Sequence, residues 1–159
     1  MATSPTAPLF NAVSDLLRRP ALRPVTRAFS ALHALAYRVT GGRAQNRKYP
    51  TMLLTVTGRK TGKSRTVPVI YIEDGDRFVI AAAYSGSDTD PAWWLNLRAN
   101  PVAQVQVMGS TVRVEAAQAS SEERPGLWRR LVQMYPYFSD YEKRTTRQIP
   151  VIVLTPTVT

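Results

Sequence analysis

The period of the apolar positions changes near residue 50. Upstream, Leu9, Val13, Leu16 and Leu17, then Leu22, Val25, Phe29, Leu32 and Leu35, recur at helical spacing, broken by Pro20 and Pro24. This predicts a short helix, a break and a second helix ended by Gly41-Gly42, behind a frayed tail over residues 1–8. Downstream, short β-branched and apolar runs take over. Met52 to Thr57 reads as a strand, Gly58 to Ser64 as a loop and Arg65 to Glu73 as a second strand. Asp74-Gly75 signals a hairpin into a third strand, Arg77 to Ala83. Asp90-Pro91 has the form of an N-cap with proline at the first helical position, opening a helix over Ala92 to Ala99 that stops at Asn100-Pro101. Val102 to Met108 and Thr111 to Ala117 make a second hairpin around Gly109-Ser110. Ser120 with Glu123 is a capping-box pattern for a helix to about Met134, followed by an aromatic turn, Tyr135 to Tyr141, and a last strand, Ile149 to Leu154.

Strands joined mostly by hairpins, with helices inserted, indicate an α+β protein built on a small antiparallel barrel. The chain divides at the change of period, into an N-terminal helical arm (1–48) and a barrel domain (49–159).

Composition narrows the chemistry. The 159 residues suit one domain with its own core. Cysteine is absent, which excludes disulfides, thiolate catalysis and Cys-ligated zinc or iron–sulfur clusters and fits a reducing cytoplasm. The one histidine, His33, lies among alanines and leucines of the arm and reads as structural, so no metal site is expected. The net charge of +10 is unevenly spread. The arm carries eight basic residues against Asp15 alone, the remainder thirteen against ten acidic ones. A basic arm attracts anionic lipid, nucleic acid or a polyanionic ligand. No apolar run approaches the ~20 residues of a membrane span, and the first residues lack the pattern of a secretory signal.

Three segments carry candidate chemistry. Gly58 to Arg65 places four basic side chains and two hydroxyls between flexible glycines, which suits phosphate or carboxylate groups as well as it suits a solvated turn. It lacks the glycine spacing of a nucleotide-binding P-loop. In the helix from Ala92, Trp93 and Asn96 share a face that could hold a planar heterocycle, whereas Trp94 reads as core. Tyr135, Tyr137, Phe138 and Tyr141 offer an apolar wall with phenols that could orient an oxygen; packing competes with this, and Tyr137 is assigned to packing. Glu122-Glu123 reads as helix-start charge, and Asp74 and Asp76 as turn residues. Anion-binding groups and flat aromatics without an obvious nucleophile suit an enzyme whose chemistry comes from a cofactor.

The run Leu53 to Gly62 with Arg65 and Pro68, then Asn96 to Pro101, Met134-Tyr135-Pro136 and Ile149-Pro150 in order, resembles the deazaflavin-dependent nitroreductase family over roughly residues 50–156. The resemblance implies a split β-barrel binding coenzyme F420, a hydride carrier with a phosphate and an oligoglutamate tail. It places Arg59, Lys60 and Thr61 on the phosphate and tail, with Arg65 as a further anchor. Arg65, Thr66, Val67, Pro68, Val69 and Ile70 would line the deazaflavin through strand backbone. Ala81, Ala82, Ala83 and Tyr84, with Ala92, Trp93, Trp94, Leu95 and Asn96, would close over the ring system. Tyr135, Phe138 and Tyr141 correspond to the substrate wall. Nitroimidazole-activating members have serine and lysine where this chain has Ala83 and Tyr84, and tyrosine at Phe138.

The resulting expectation is an F420H2-dependent reductase passing hydride to a quinone, an activated enone or a nitroaromatic, with Tyr84, Tyr135 or Tyr141 supplying a proton or hydrogen bond. The arm has two readings: peripheral contact with an anionic membrane at the inner face of the cell membrane, or a cover over one barrel end or an oligomer contact. Rival functions are a split barrel holding FMN or haem, and a basic nucleic-acid-binding barrel. Against the latter, and for no nucleic-acid partner, the charge is concentrated in the arm and one loop rather than interleaved with aromatics along a strand.

Overall fold

A computed structural model of the chain describes residues 49–157; the predicted arm, 1–48, lies outside the described residues. The strands are β1 (Thr51–Thr57), β2 (Ser64–Asp74), β3 (Arg77–Ala81), β4 (Val102–Val107), β5 (Ser110–Gln118) and β6 (Val151–Pro156). They close an antiparallel barrel in the order β1-β2-β3-β6-β5-β4. Three helices accompany them: α1 (Ala92–Ala99), α2 (Arg124–Met134) and α3 (Tyr137–Lys143).

Strand alternation makes two cores. Met52, Leu54 and Val56 of β1 point inward with Val105, Val114, Ile152 and Leu154, and Trp94 and Leu97 of α1 join this interior cluster. Val79, Val151 and Val153 point outward instead, and α2 and α3 cover them with Leu127, Leu131, Phe138 and Tyr141. β3 and β6 are therefore buried on both faces. This explains the unbroken apolar run Val151–Leu154, which shows no alternation.

The turns follow from local chemistry. Gly75, at φ 64, opens the two-residue loop between the paired Asp74 and Arg77. The second hairpin turns on Met108-Gly109, both at positive φ, one residue before the predicted Gly109-Ser110. The capping box forms as expected: Ser120 Oγ accepts from Glu123 N (3.1 Å) and Glu123 Oε2 from Ser120 N (3.3 Å). Arg77 and Arg130 both engage Asp74, and Arg77 also engages Glu123 (3.3 Å), fastening this hairpin to α2. Hydrogen bonds from Arg130 and then Arg77 hold the Asp74 carboxyl below its usual range.

Four expectations are corrected. β3 ends at Ala81, not Ala83, because Ala81 is the last residue with a β6 partner, Val151. The carbonyls of Ala82 and Ala83 turn to the Arg147 guanidinium instead. Asp90 makes no N-cap bond. Its carboxylate pairs with Arg147 (3.0 Å) and Arg98 (3.7 Å), and Pro91 becomes the cap residue. Most of the aromatic turn is helix, with Pro136 (φ −57) setting the first turn of α3. The last strand begins at Val151, two residues later than predicted.

Candidate functional site

The β1–β2 loop meets α1 where β1 ends and β2 begins, whereas the end of β3 and the start of β6 stand farther along β2, beside Ile70 and Tyr71. The loop is a tight backbone knot. Gly58 N–H donates to Lys63 O (2.8 Å), and Gly62, at φ 66, donates to Gly58 O (2.7 Å). A Cβ at Gly58 would meet Lys63 O at 3.1 Å, so glycine permits the closure. With the backbone turned in on itself, Arg59, Lys60, Thr61, Lys63 and Arg65 are all exposed.

Asn96 links this loop to α1. It is the buried polar residue of the described core, 7% exposed. Its Oδ1 accepts from both the backbone N–H (3.2 Å) and Nη1 (3.0 Å) of Arg59. The amide oxygen expected to face a ring is thus committed to the loop. Trp94 lies in the core as expected, and Trp93 is half-buried against the same interior cluster. Asn96→Leu removes the acceptor shared by two Arg59 donors in part-buried bonds, one of them charged. It is expected to cost about 1–3 kcal/mol and to loosen Arg59, checked by thermal unfolding and faster proteolysis within residues 58–65.

β2 supplies a surface beside the loop. It pairs with β1 along Ser64–Ile70, but with β3 only from Tyr71 to Asp74. Among the described residues no second strand pairs with the first seven positions. Tyr71 N–H donates to Pro50 O (3.1 Å), so Tyr71, Val69 and Val67 turn their backbone groups toward β1. Alternation then turns those of Thr66, Pro68 and Ile70 toward the open edge. Pro68, opposite Leu53, stands where no N–H is needed for the β1 ladder. Thr66 Oγ1 lies 2.9 Å from Thr55 Oγ1. The side chains of Val67 and Val69 point into the barrel, so only their backbone is available at this surface.

At its far end this edge meets the outer cluster. Ile70 and Ala81 pack against it with Ala83, Tyr135, Phe138 and Tyr141. The five steps along the strand from Arg65 to Ile70 span about 16 Å at ordinary rise. Tyr135 lies 4.9 Å from Phe138 and 4.8 Å from Tyr49 between ring centroids. Burial, then a hydrogen bond with Tyr141, pushes the Tyr135 phenol well above its ordinary value. Tyr84 is exposed at 47% on a left-handed turn, Tyr84–Gly86, with φ of 44, 54 and 77 along its three residues. That turn rests on α3: a Cβ at Gly86 would stand 2.6 Å from Tyr141 O.

Of the residues proposed for the ring, Ala82, Trp93 and Trp94 thus belong to the interior cluster, while Ala81 and Ala83 belong to the outer one. Leu95 is half-buried and Ala92 exposed on α1. Two further residues escaped notice in the sequence. Arg147 donates to Ala82 O (2.9 Å), Ala83 O (3.1 Å), Ser87 O (2.8 Å) and Asp90 Oδ1 (3.0 Å), fixing the path that carries Tyr84. Arg144 caps α3 beside the same turn. Neither has a local sequence signal beyond its charge.

A family model described as F420H(2)-dependent quinone reductase matches residues 29–156. The chain belongs to that family. An F420H(2)-dependent quinone reductase of Mycobacterium tuberculosis is 36% identical over 130 residues, covering 78% of this chain and 87% of its own. The solved structure of an F420-H2 dependent reductase, FDR-A, shares 34% identity and a TM-score of 0.62 over 66% of this chain and 93% of its own. A second solved structure, described as a domain-swapped dimer, shares 29% identity and a TM-score of 0.64, covering 82% of this chain and 98% of its own. The protein is accordingly an oxidoreductase of the F420H2-dependent quinone reductase type, with F420 as its cofactor.

The residues at hand suit this cofactor. A phosphate and carboxylate tail needs cations not already neutralised. Lys60, Lys63 and Arg65 are exposed and have no carboxylate partner among the described residues. A flat heterocycle with amide-like edges needs backbone donors and acceptors, which β2 carries at Pro68 to Ile70 where no second strand among the described residues pairs.

Proposed function

We propose that this F420H2-dependent quinone reductase binds its cofactor along the open edge of β2, with the acceptor meeting it near the outer aromatic cluster. The observation that carries this reading is the continuity of three surfaces: cations at the β1–β2 loop without a carboxylate partner among the described residues, backbone at Pro68 to Ile70 that no second described strand pairs, and an aromatic face beyond Ile70. When bound, reduced F420 supplies a hydride, and the overall exchange with a quinone balances two electrons and two hydrogens to give oxidised F420 and a hydroquinone.

The chain's own part is placement and charge. Lys60, Lys63 and Arg65 hold the anionic tail, and Arg59 and Thr61 shape the loop that presents them. Thr66, Pro68 and Ile70 meet the ring through backbone, and Ala81 to Tyr84 form its boundary with α3. Tyr141 and Tyr84 orient the acceptor oxygen. Tyr135 keeps its proton because of burial and its bond with Tyr141, and so braces the Tyr141 phenol. Ala83 offers no hydroxyl, so quinones are the primary acceptors and activated enones and nitroaromatics side substrates. The +7 arm is proposed to touch anionic membrane, which would bring the site to lipid-soluble quinones, and subunit association is proposed on the precedent of the domain-swapped neighbour.

Replacing Lys60 and Arg65 together by alanine tests the anchor. Each lost charge-assisted bond is worth about 1.5–3 kcal/mol, so F420 affinity should fall about 100-fold or more, read by deazaflavin fluorescence. Circular dichroism should be unchanged, because both side chains are exposed. Unaltered affinity would remove the loop from the site.

A further inference from the structure

Arg144 is out of balance with its surroundings. Its guanidinium carbon lies 5.8 Å from the centroid of the Tyr141 ring, over one face of it. Its Nη1 is buried and has no hydrogen-bond partner. Among the described residues Arg144 makes no ion pair. Arg147, three residues on, instead satisfies its guanidinium with four acceptors. A buried charged donor without an acceptor costs more than the 1–3 kcal/mol of a neutral one. The contact of Arg144 with the Tyr141 ring offsets part of that cost but leaves the Nη1 donor unanswered.

Position suggests the missing acceptor. The Arg144 Cβ lies 2.9 Å from where a Gly86 Cβ would stand, so the residue adjoins the left-handed turn bearing Tyr84. Ala83, at the start of this turn, contributes only a methyl group to the cluster. Two described cations lie on rings of this cluster, Arg124 over Trp128 (5.2 Å) and Arg144 over Tyr141 (5.8 Å), and Arg144 is the one that adjoins the turn bearing Tyr84.

Resting on the function proposed above, we infer that Arg144 is the residue that binds the acceptor's carbonyl oxygen. As the quinone takes up hydride, a carbonyl oxygen gains negative charge before a proton completes the hydroquinone. Arg144 is half-buried as a whole, and a turn of its guanidinium on the Tyr141 ring brings the unpartnered Nη1–H out to donate a charge-assisted bond to that oxygen. The bond strengthens as charge develops, so it lowers the barrier as well as binding substrate.

The test uses the full chain with F420H2 and menadione, comparing the parent with Arg144→Met and Arg144→Lys. Loss of an oxyanion donor lowers turnover about 100-fold or more, so kcat/KM for menadione should fall by that factor in Arg144→Met. F420H2 affinity should stay within about twofold in both variants. Arg144→Lys, which keeps the charge without the fork, should recover part of the loss. Across benzoquinones of decreasing electron affinity the deficit should grow, a trend that a packing role would not produce. Binding of 4-nitrophenolate, a stable aryl oxide, to the F420-loaded protein should weaken about tenfold or more. Equal kcat/KM in parent and variants, with the parent active, overturns the assignment to Arg144 alone. A parent inactive with every quinone overturns the proposed function and this inference with it. If Arg144→Met does not fold, Arg144→Lys decides by the same comparisons.

Discussion

Replacing Arg147 by methionine is expected to lower quinone-dependent turnover about 100-fold and the thermal midpoint by about 10 °C. Its side chain is 16% exposed and reaches three backbone carbonyls and one carboxylate. Removing one partner of a fully buried charge pair costs about 3–5 kcal/mol, and this half-buried pair with its three carbonyl bonds should approach the lower figure, against a total stability of about 5–15 kcal/mol. Arg98 is a poor substitute for Asp90, since it stands 3.7 Å away and is 59% exposed. The barrel should survive, because its ladders do not involve residue 147. What loosens is the segment Ala82 to Asp90, and a displacement of about 1 Å in a positioning element can account for the loss in rate. Arg147→Lys should restore charge at Asp90 but cannot serve three carbonyls from one ammonium, so recovery should be partial. Unfolding curves, F420 titration and steady-state rates together check this. An unchanged midpoint would show that the bonds of Arg147 are dispensable.

Gly86→Ala should be as damaging by a different route. At φ 77 a side chain costs about 1–2 kcal/mol, and the new Cβ would stand 2.6 Å from Tyr141 O and 3.0 Å from its Cα. These are backbone atoms of a packed helix and cannot rotate away. Overpacking adds about 1–3 kcal/mol, for a total near 3 kcal/mol and a fall of about 10 °C in the midpoint. Gly86→Asn separates the two causes. Asparagine tolerates the left-handed region better than alanine, so if space decides, both variants should unfold at similar temperatures. A well-tolerated asparagine would show that backbone conformation alone reserves the position for glycine. Because the turn leans on α3, quinone turnover should fall in either variant more than F420 affinity.

The barrel was largely readable along the chain. The change from helical to strand period at residue 50, the Asp74-Gly75 turn and the Asn100-Pro101 stop place β1, β2, α1, β4 and β5 within about a residue of where they stand. Errors arose where a distant residue overrode a local signal. Asp90 has every attribute of a helix cap, yet two arginines outbid the backbone for its carboxylate. β3 was drawn too long because nothing local announces that Ala82 and Ala83 yield their carbonyls to a residue 64 or 65 positions away. The aromatic cluster reads as a turn along the chain, yet Pro136 caps the start of α3 and Tyr137–Lys143 are helical. Arg59 and Asn96 were each singled out for a ligand, but their bond to one another spans 37 positions and leaves no mark on either neighbourhood. The unladdered half of β2 had only Pro68 as a hint.

That proline has a consequence for solubility. A strand laddered on one side is a template on which foreign strands, including those of a second unfolding molecule, can grow into aggregates. Pro68 removes a donor from the middle of the template, and the cations of the adjoining loop repel incoming copies of the same chain. Among the described residues, this stretch of β2 can thus offer backbone to a small molecule while the missing donor at Pro68 disfavours growth of a foreign strand.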